Sequence, residues 1–276
     1  LSALSYNANQ VFNPFYTIEG GFNVKIARFA DEKGVIRWGV IEGEVIKETK
    51  GIQGPFTGVD FSSADIQLLA PAEPTKIICV GKNYVDHIEE MDGDASQLPT
   101  EPGLFLKAPN ALANPEEVIP YPHFTKEFHY EGELAAVISK PMKMVPEDAA
   151  LEYVLGYTCA FDLTARDAQR QDLQWIRAKS ADKFCPLGPW IETDLDPTDL
   201  GIKTEVNGKL VQNSRTSLMI FPLKKILSFT SCFMTLLPGD VILTGTPSGV
   251  GELHVGDVVS VTVEGIGTLG ITIGCQ

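Results

Sequence analysis

The chain lacks any pair of cysteines at zinc-type spacing. Its five cysteines, Cys79, Cys159, Cys185, Cys232 and Cys275, are scattered and odd in number. That usage reads as free thiols in a reducing, cytoplasmic compartment. No histidine or cysteine stands at metal-ligand spacing, which argues against zinc. No apolar run reaches the ~18 residues of a membrane span. Residues 1–13 lack a basic stretch and a continuous apolar core, so no secretory signal is expected. Internal repeats and low-complexity tracts are missing. Basic residues are scarce: 22 Lys and Arg face 36 Asp and Glu, a formal net charge of −14. Such a surface disfavours nucleic acid and anionic membranes as partners. It says less about small anionic substrates, because local positive groups overrule the global field.

What is present suits one large domain with a small appendage: 276 residues, 44% of them hydrophobic. Residues 1–22 show no period and read as an irregular arm. Residues 23–72 form a small β segment, with alternating strands at 24–29, 35–40 and 44–46 and a loop-rich stretch over 50–72. The main domain runs over 73–276 and opens on a buried strand at 76–81. Helices are expected at 84–91, 146–155, 164–175 and 222–230, with Thr164 and Asp167 spaced as a capping box. The acidic, proline-interrupted stretch 92–102 reads as a mobile lid. Strands are expected at 130–138, 155–161, 203–212 with a turn at Asn207-Gly208, 240–244, 258–264 and 268–273. Many short strands with few helices give an α+β, β-rich class: a mixed β-sandwich or roll.

The most informative stretch is Tyr130-Glu131-Gly132-Glu133-Leu134-Ala135-Ala136-Val137-Ile138. On a strand, residues two apart point the same way, so Glu131 and Glu133 share one face. Two carboxylates there would repel each other and lose solvation, and a divalent cation relieves both. The alternative is a frayed strand end with two solvated glutamates. Asp162 ends the next strand, either as a helix cap or as a third oxygen ligand. Three carboxylates with open positions suit Mg²⁺ or Mn²⁺, with Ca²⁺ a further option. His87 and Glu90, three apart on a helix, make either a carboxylate-polarised base or part of a solvated acidic face. Lys179, with Lys183 as its rival, would balance the metal site or hold an oxyanion. On that count, three carboxylates, a divalent ion and one lysine leave a near-neutral centre. The glycine-rich turn Thr244-Gly245-Thr246-Pro247-Ser248-Gly249-Val250-Gly251 offers N–H groups to a carboxylate, or is a plain turn.

The order of these signals carries more than any one of them. Gly81-Lys82-Asn83-Tyr84-Val85-Asp86-His87-Ile88-Glu89-Glu90-Met91, Glu131-Gly132-Glu133, Phe161-Asp162-Leu163-Thr164-Ala165-Arg166-Asp167, Ala178-Lys179-Ser180, Cys185-Pro186-Leu187-Gly188-Pro189 and Leu243-Thr244-Gly245-Thr246-Pro247 together resemble the fumarylacetoacetate hydrolase family. The likeness covers roughly residues 76–273 and is nearest the acylpyruvase and oxaloacetate decarboxylase branch. It implies a mixed β-sandwich roll, usually a homodimer. It implies Mg²⁺ or Mn²⁺ on Glu131, Glu133 and Asp162, and a water-activating dyad of His87 and Glu90. It also implies Lys179 as the active-site lysine, and Arg166, Gln169, Gly245 and Thr246 around a small 2-oxo acid. One departure stands at Ala181, where relatives often carry an aromatic residue.

The reaction implied first is hydrolysis of a C–C bond in a 1,3-diketo or 2-oxo acid of the acylpyruvate or fumarylpyruvate type, through an enolate. Oxaloacetate decarboxylation and isomerisation or tautomerisation, as of 2-hydroxyhepta-2,4-diene-1,7-dioate, use the same enolate. The non-catalytic rivals are an inactive metal-stabilised binding protein and a plain Ca²⁺-binding β domain.

Overall fold

A computed structural model describes residues 24–91 and 98–275. The expected arm over 1–22 and most of the expected lid lie outside the described residues. Alternation builds the N-terminal meander: Lys25–Ala30, Ile36–Glu42 and Val45–Thr49 pair antiparallel in succession. Gly34 and Gly43 make the turns at φ of 76° and 63°, a region open to glycine because it has no Cβ. The stretch 50–72 is less loop-like than its glycines and Pro55 suggest. Phe56–Ser62 forms the outer strand, and Gln67–Leu69 pairs with Lys25–Ala30. The outer strand is exposed at nearly every position, so no buried face imprints a clear alternation on it.

The meander runs on into the main sheet. Lys25 and Ile26 lie opposite Glu192 and Ile191 of strand Cys185–Glu192. From there the sheet continues through Val154–Phe161, Gly132–Ile138, Val241–Leu243, Ile77–Gly81 and Gly103–Lys107. Gly132–Ile138 is buried at every position and sits near the centre. A second sheet of five strands orders Lys209–Arg215, Gly201–Val206, Val258–Val263, Gly267–Gly274 and Val118–Pro120. A small third sheet joins Thr164–Ala165, Phe128–Tyr130 and Gly251–Glu252. The hairpin at Asn207 and Gly208 forms as expected, both residues in the left-handed region at φ of 52° and 74°. The result is the β-rich α+β class.

Helices form at Val85–Glu90, Arg166–Gln171, Ile176–Lys179 and Leu223–Phe233. Residues 147–153 take the tighter 3₁₀ form. The expected capping box fails, and the reason is local. Thr164 lies in a strand opposite His129, and its hydroxyl donates back to Asp162 O at 3.0 Å. The Asp167 carboxylate accepts from Thr125 Oγ1 and from Lys126 N. Helix formation is delayed to Arg166 and breaks before Ile176. Among the described residues, no helix is long and apolar enough to cross a membrane.

Strands Val154–Phe161 and Cys185–Glu192 approach closely at Gly156, where an added Cβ would meet Glu192 O at 2.4 Å. Backbone cannot rotate away as a side chain can. Gly156→Ala is expected to lower unfolding free energy by about 1–3 kcal/mol. A wild-type midpoint in chemical denaturation would contradict that contact.

Candidate active site

Glu131 occupies the one-residue step between strands Phe128–Tyr130 and Gly132–Ile138, with Glu133 two residues on. Asp162 directly follows strand Val154–Phe161, and its amide donates to Glu131 O at 2.9 Å. That bond brings the two strand ends into register. One carboxylate oxygen from each of Glu131, Glu133 and Asp162 lies within 4.8 Å of the others, and all three residues are buried. A solvated strand end is therefore excluded.

Three buried cations answer these acids. Lys179 ends its short helix, and its ammonium donates to Glu131 Oε2 at 2.9 Å and to Asp162 Oδ2 at 2.7 Å. Its rival Lys183 instead pairs with Glu117 at the surface. Arg166 pairs with Glu131 and donates to Gln169 Oε1 at 2.8 Å. The third cation, Lys107, carries no signal in the sequence beyond ending the apolar run Leu104-Phe105-Leu106. It is 1% exposed. Its ammonium donates to the carbonyl oxygens of Leu163, Lys179 and Phe184 and lies 2.7 Å from Asp162 Oδ1. An ammonium has three hydrogens, and three carbonyls take them. Asp162 Oδ1, buried and ion-paired with that ammonium, thus receives no directed hydrogen bond from it.

Glu133 is the unbalanced member. It accepts from Gly245 N at 2.6 Å, and among the described residues no cation lies within ion-pair distance of it. Burial, with Asp162 and Glu131 beside it, pushes its carboxyl well above the ordinary 4.5. Burial also pushes Glu131 up, but Lys179, Arg166 and His87 outweigh it and hold that carboxyl well below its ordinary value. Lys179 is lowered by burial, yet Asp162 and Glu131 prevail and raise it. Hard oxygen donors, one buried carboxylate oxygen without a directed hydrogen bond and one carboxyl without a counter-charge fit a Mg²⁺- or Mn²⁺-type ion. The charge count differs from the one that Lys179 alone suggests. The three cations equal the three carboxylates in number although none pairs with Glu133, so a divalent ion bound with all three acids ionised would leave the centre with two net positive charges.

Glu131 and Glu133 line a cavity of about 250 Å³, walled by Phe105 and Trp175 in edge-to-face contact at 5.5 Å. His87, Arg166, Gln169, Lys179 and Thr246 also line it, and Glu90, Asp162 and Gly245 do not. Ala181 is not part of the wall. His87 is buried, with Nδ1 3.3 Å from Glu90 Oε2. Gly245, expected beside the substrate, has its amide engaged by Glu133 and so serves the acid cluster instead.

Comparison with known proteins gives consistent matches. The fumarylacetoacetate (FAA) hydrolase C-terminal family matches residues 76–274, and the Rv2993c-like N-terminal family matches residues 24–71. The solved 5-carboxymethyl-2-hydroxymuconate delta-isomerase of Mycobacterium smegmatis is 47% identical with a TM-score of 0.85, over 91% of this chain and 100% of that one. The mitochondrial oxaloacetate tautomerase of Xenopus laevis is 43% identical over 75% of this chain and 68% of its own length. Fumarylpyruvate hydrolase of Pseudomonas aeruginosa, solved with Mn²⁺ and pyruvate, is 30% identical with a TM-score of 0.70, over 76% of this chain and 92% of that one.

The raised Glu133 carboxyl gives the metal-free protein a pH signature. A folded-state value above the unfolded one means that the folded state holds its proton longer. Stability is therefore full below the unfolded value and is lost as pH rises from there to the folded value. Glu131 acts oppositely, losing stability as pH falls below its ordinary 4.5. In EDTA, denaturation midpoints are expected to decline as pH rises above about 4.5, the ordinary value. Glu133→Gln should flatten that decline. A slope unchanged in the variant would show that Glu133 is not the strained group.

Proposed function

The chain belongs to the fumarylacetoacetate hydrolase family, and from that premise we propose that it forms and reprotonates the enolate of a bound 2-oxo acid. The proposed reaction is a proton shift: keto–enol tautomerisation or double-bond isomerisation. The observation that carries this reading is the buried cluster of Glu131, Glu133 and Asp162, of which Glu131 and Glu133 line a cavity that His87 also lines. A divalent cation held by those three acids would supply Lewis-acid stabilisation of negative charge on the 2-oxo group.

The chain's own residues do the rest. His87 has Nδ1 turned to Glu90, which fixes the ring. The other ring nitrogen is then the one to take a proton from the carbon beside the 2-oxo group and to return it elsewhere. Lys179 offers its ammonium to the oxygen on which charge develops. Arg166 lines the cavity with a buried Nε–H that meets no acceptor, a donor suited to a substrate carboxylate. Gln169 holds the same guanidinium from its other side. Phe105 and Trp175 keep water from the reacting carbon. The surplus of positive charge in a metal-loaded centre favours a dianionic acid such as oxaloacetate.

The names of similar proteins support a proton shift, one being a tautomerase and another an isomerase. A second reading, hydrolytic C–C cleavage of an acylpyruvate or fumarylpyruvate, is favoured by the hydrolase solved with Mn²⁺ and pyruvate. In that case His87 and Glu90 activate water, and pyruvate enolate leaves. Decarboxylation of oxaloacetate is the third outlet of the same enolate. A homodimer in a reducing compartment belongs to the same reading.

The test follows one bond. In D₂O with Mg²⁺ or Mn²⁺, the protein is expected to speed deuterium entry at C3 of oxaloacetate, seen by NMR. Acetylpyruvate, fumarylpyruvate and 2-hydroxyhepta-2,4-diene-1,7-dioate are run beside it to report cleavage and double-bond shift. His87→Asn should slow exchange by about 10²–10⁴-fold. Glu131→Ala should lose most activity, by several kcal/mol of transition-state stabilisation. Turnover that ignores EDTA, or a fully active Glu131→Ala protein, would sink the reading.

A further inference from the structure

Gly132 separates the two glutamates of the acid cluster; it pairs with Phe161 on one side, but on the other its backbone lies beyond the ladder. Leu134, two residues on, is served by the neighbouring strand side: Thr244 N donates to Leu134 O at 3.1 Å, and Thr244 Oγ1 donates to it at 2.9 Å. Strand Val241–Leu243 has ended by then, so no backbone reaches Gly132 from that side. Side chains fill the place. Gly132 N donates to Gln212 Oε1 at 3.0 Å, and Gly132 O accepts from Thr246 Oγ1 at 2.9 Å. Gln212 Nε2 donates to Thr246 Oγ1 and to Pro247 O, each at 2.8 Å. Gln212 is 1% exposed and comes from strand Lys209–Arg215 of the second sheet.

These bonds close a ring through Gly132, Gln212 and Thr246. The Gly132 N–H belongs to the peptide that follows Glu131, and the Gly132 carbonyl belongs to the peptide that precedes Glu133. The ring therefore fixes both peptide planes between the two glutamates. It also ties them to Thr246, which lines the cavity. Only a primary amide fits. It must accept from one N–H and donate twice, which neither a carboxylate nor an aliphatic side chain can do. Gly132 has no freedom to escape, because a Cβ there would meet Thr204 Oγ1 at 2.2 Å and Val261 Cγ2 at 3.0 Å.

We propose that Gln212 is a positioning residue: through the ring with Thr246 and the Gly132 backbone, it sets the separation of the Glu131 and Glu133 carboxylates. It touches neither ion nor substrate. The inference rests on the reading of those glutamates as ligands and extends it to the second sheet.

The full-length protein, stripped with EDTA, is titrated with Mn²⁺ alone by electron paramagnetic resonance, and its melting temperature is recorded in parallel. The proteins are wild type, Gln212→Met, Thr246→Val, the double variant and Thr246→Ser. Gln212→Met is expected to weaken the Mn²⁺ Kd about ten-fold or more, the range for groups that orient ligands. Thr246→Val should do the same, and the double variant no worse, since either change opens the same ring. Thr246→Ser keeps the hydroxyl and should bind as wild type does. A Gln212→Met protein with lowered melting temperature and unchanged Mn²⁺ Kd would overturn the proposal, leaving Gln212 a structural residue. So would losses that simply add. Should Gln212→Met not fold, Thr246→Val against Thr246→Ser decides alone. A wild type that binds no Mn²⁺ would overturn the ligand reading itself, a separate result.

Discussion

Three carboxylates buried within 4.8 Å of one another are the constraint on which the rest of this structure depends. At an effective dielectric near 20, two unit charges at that distance repel by roughly 3–4 kcal/mol. Three such pairs approach the whole folding free energy of an ordinary domain, about 5–15 kcal/mol. The cluster can exist only if cations come with it. Lys107, Lys179 and Arg166 arrive from three separate elements to meet Glu131 and Asp162. None of them meets Glu133. What remains is one carboxyl pushed well above its ordinary value by burial and by its neighbours, and one Asp162 oxygen that shares its neighbouring ammonium with three carbonyls. Both defects have the same remedy, a small ion of double charge.

Lys107 shows how the constraint reaches the fold. Its ammonium ties together Leu163, Lys179 and Phe184, which lie on the segment that leaves Asp162, on the helix that carries Lys179, and at the approach to strand Cys185–Glu192. A buried ammonium with fewer partners would cost several kcal/mol. The irregular chain between residues 162 and 184 is thus organised around one charge. Propensity alone would leave that chain loosely placed, since its helices are six and four residues long.

How much of this was legible beforehand follows from where each signal resides. Glu131, Glu133 and Asp162 could be read because strands have a period of two and strand ends are exposed to sites. His87 and Glu90 could be read from helical spacing. Lys107 could not. A lysine closing an apolar strand is ordinarily a surface residue, and what makes this one different is contacts 56, 72 and 77 residues away. Gln212 is silent for the same reason, since its partners lie 34 and 80 residues off. Thr164 misleads because a hydroxyl followed three residues later by an acid means a cap only if the backbone turns there. Here a strand pair with His129 delays the turn. The outer strand Phe56–Ser62 was lost because solvent on both sides erases alternation.

His87 and the acid cluster are set by one frame rather than two. Helix Val85–Glu90 is too short to persist alone. It is held through Asp86 Oδ2, which accepts from Ser248 Oγ at 2.7 Å, and Glu90 Oε1, which accepts from Gly249 N at 2.9 Å. Both partners lie on the glycine-rich turn. That turn is in turn locked against strand Lys209–Arg215. Gly249 has a φ of 98°, and a Cβ on it would stand 2.0 Å from Val211 O. The residue after Val211 is Gln212, which holds Pro247 and Thr246. One strand of the second sheet therefore fixes the turn, the turn fixes the helix bearing His87, and the same strand fixes the peptides between Glu131 and Glu133. In the proton shift proposed above, a base that must stay in register with an ion through a proton's departure and return would gain from such a shared support.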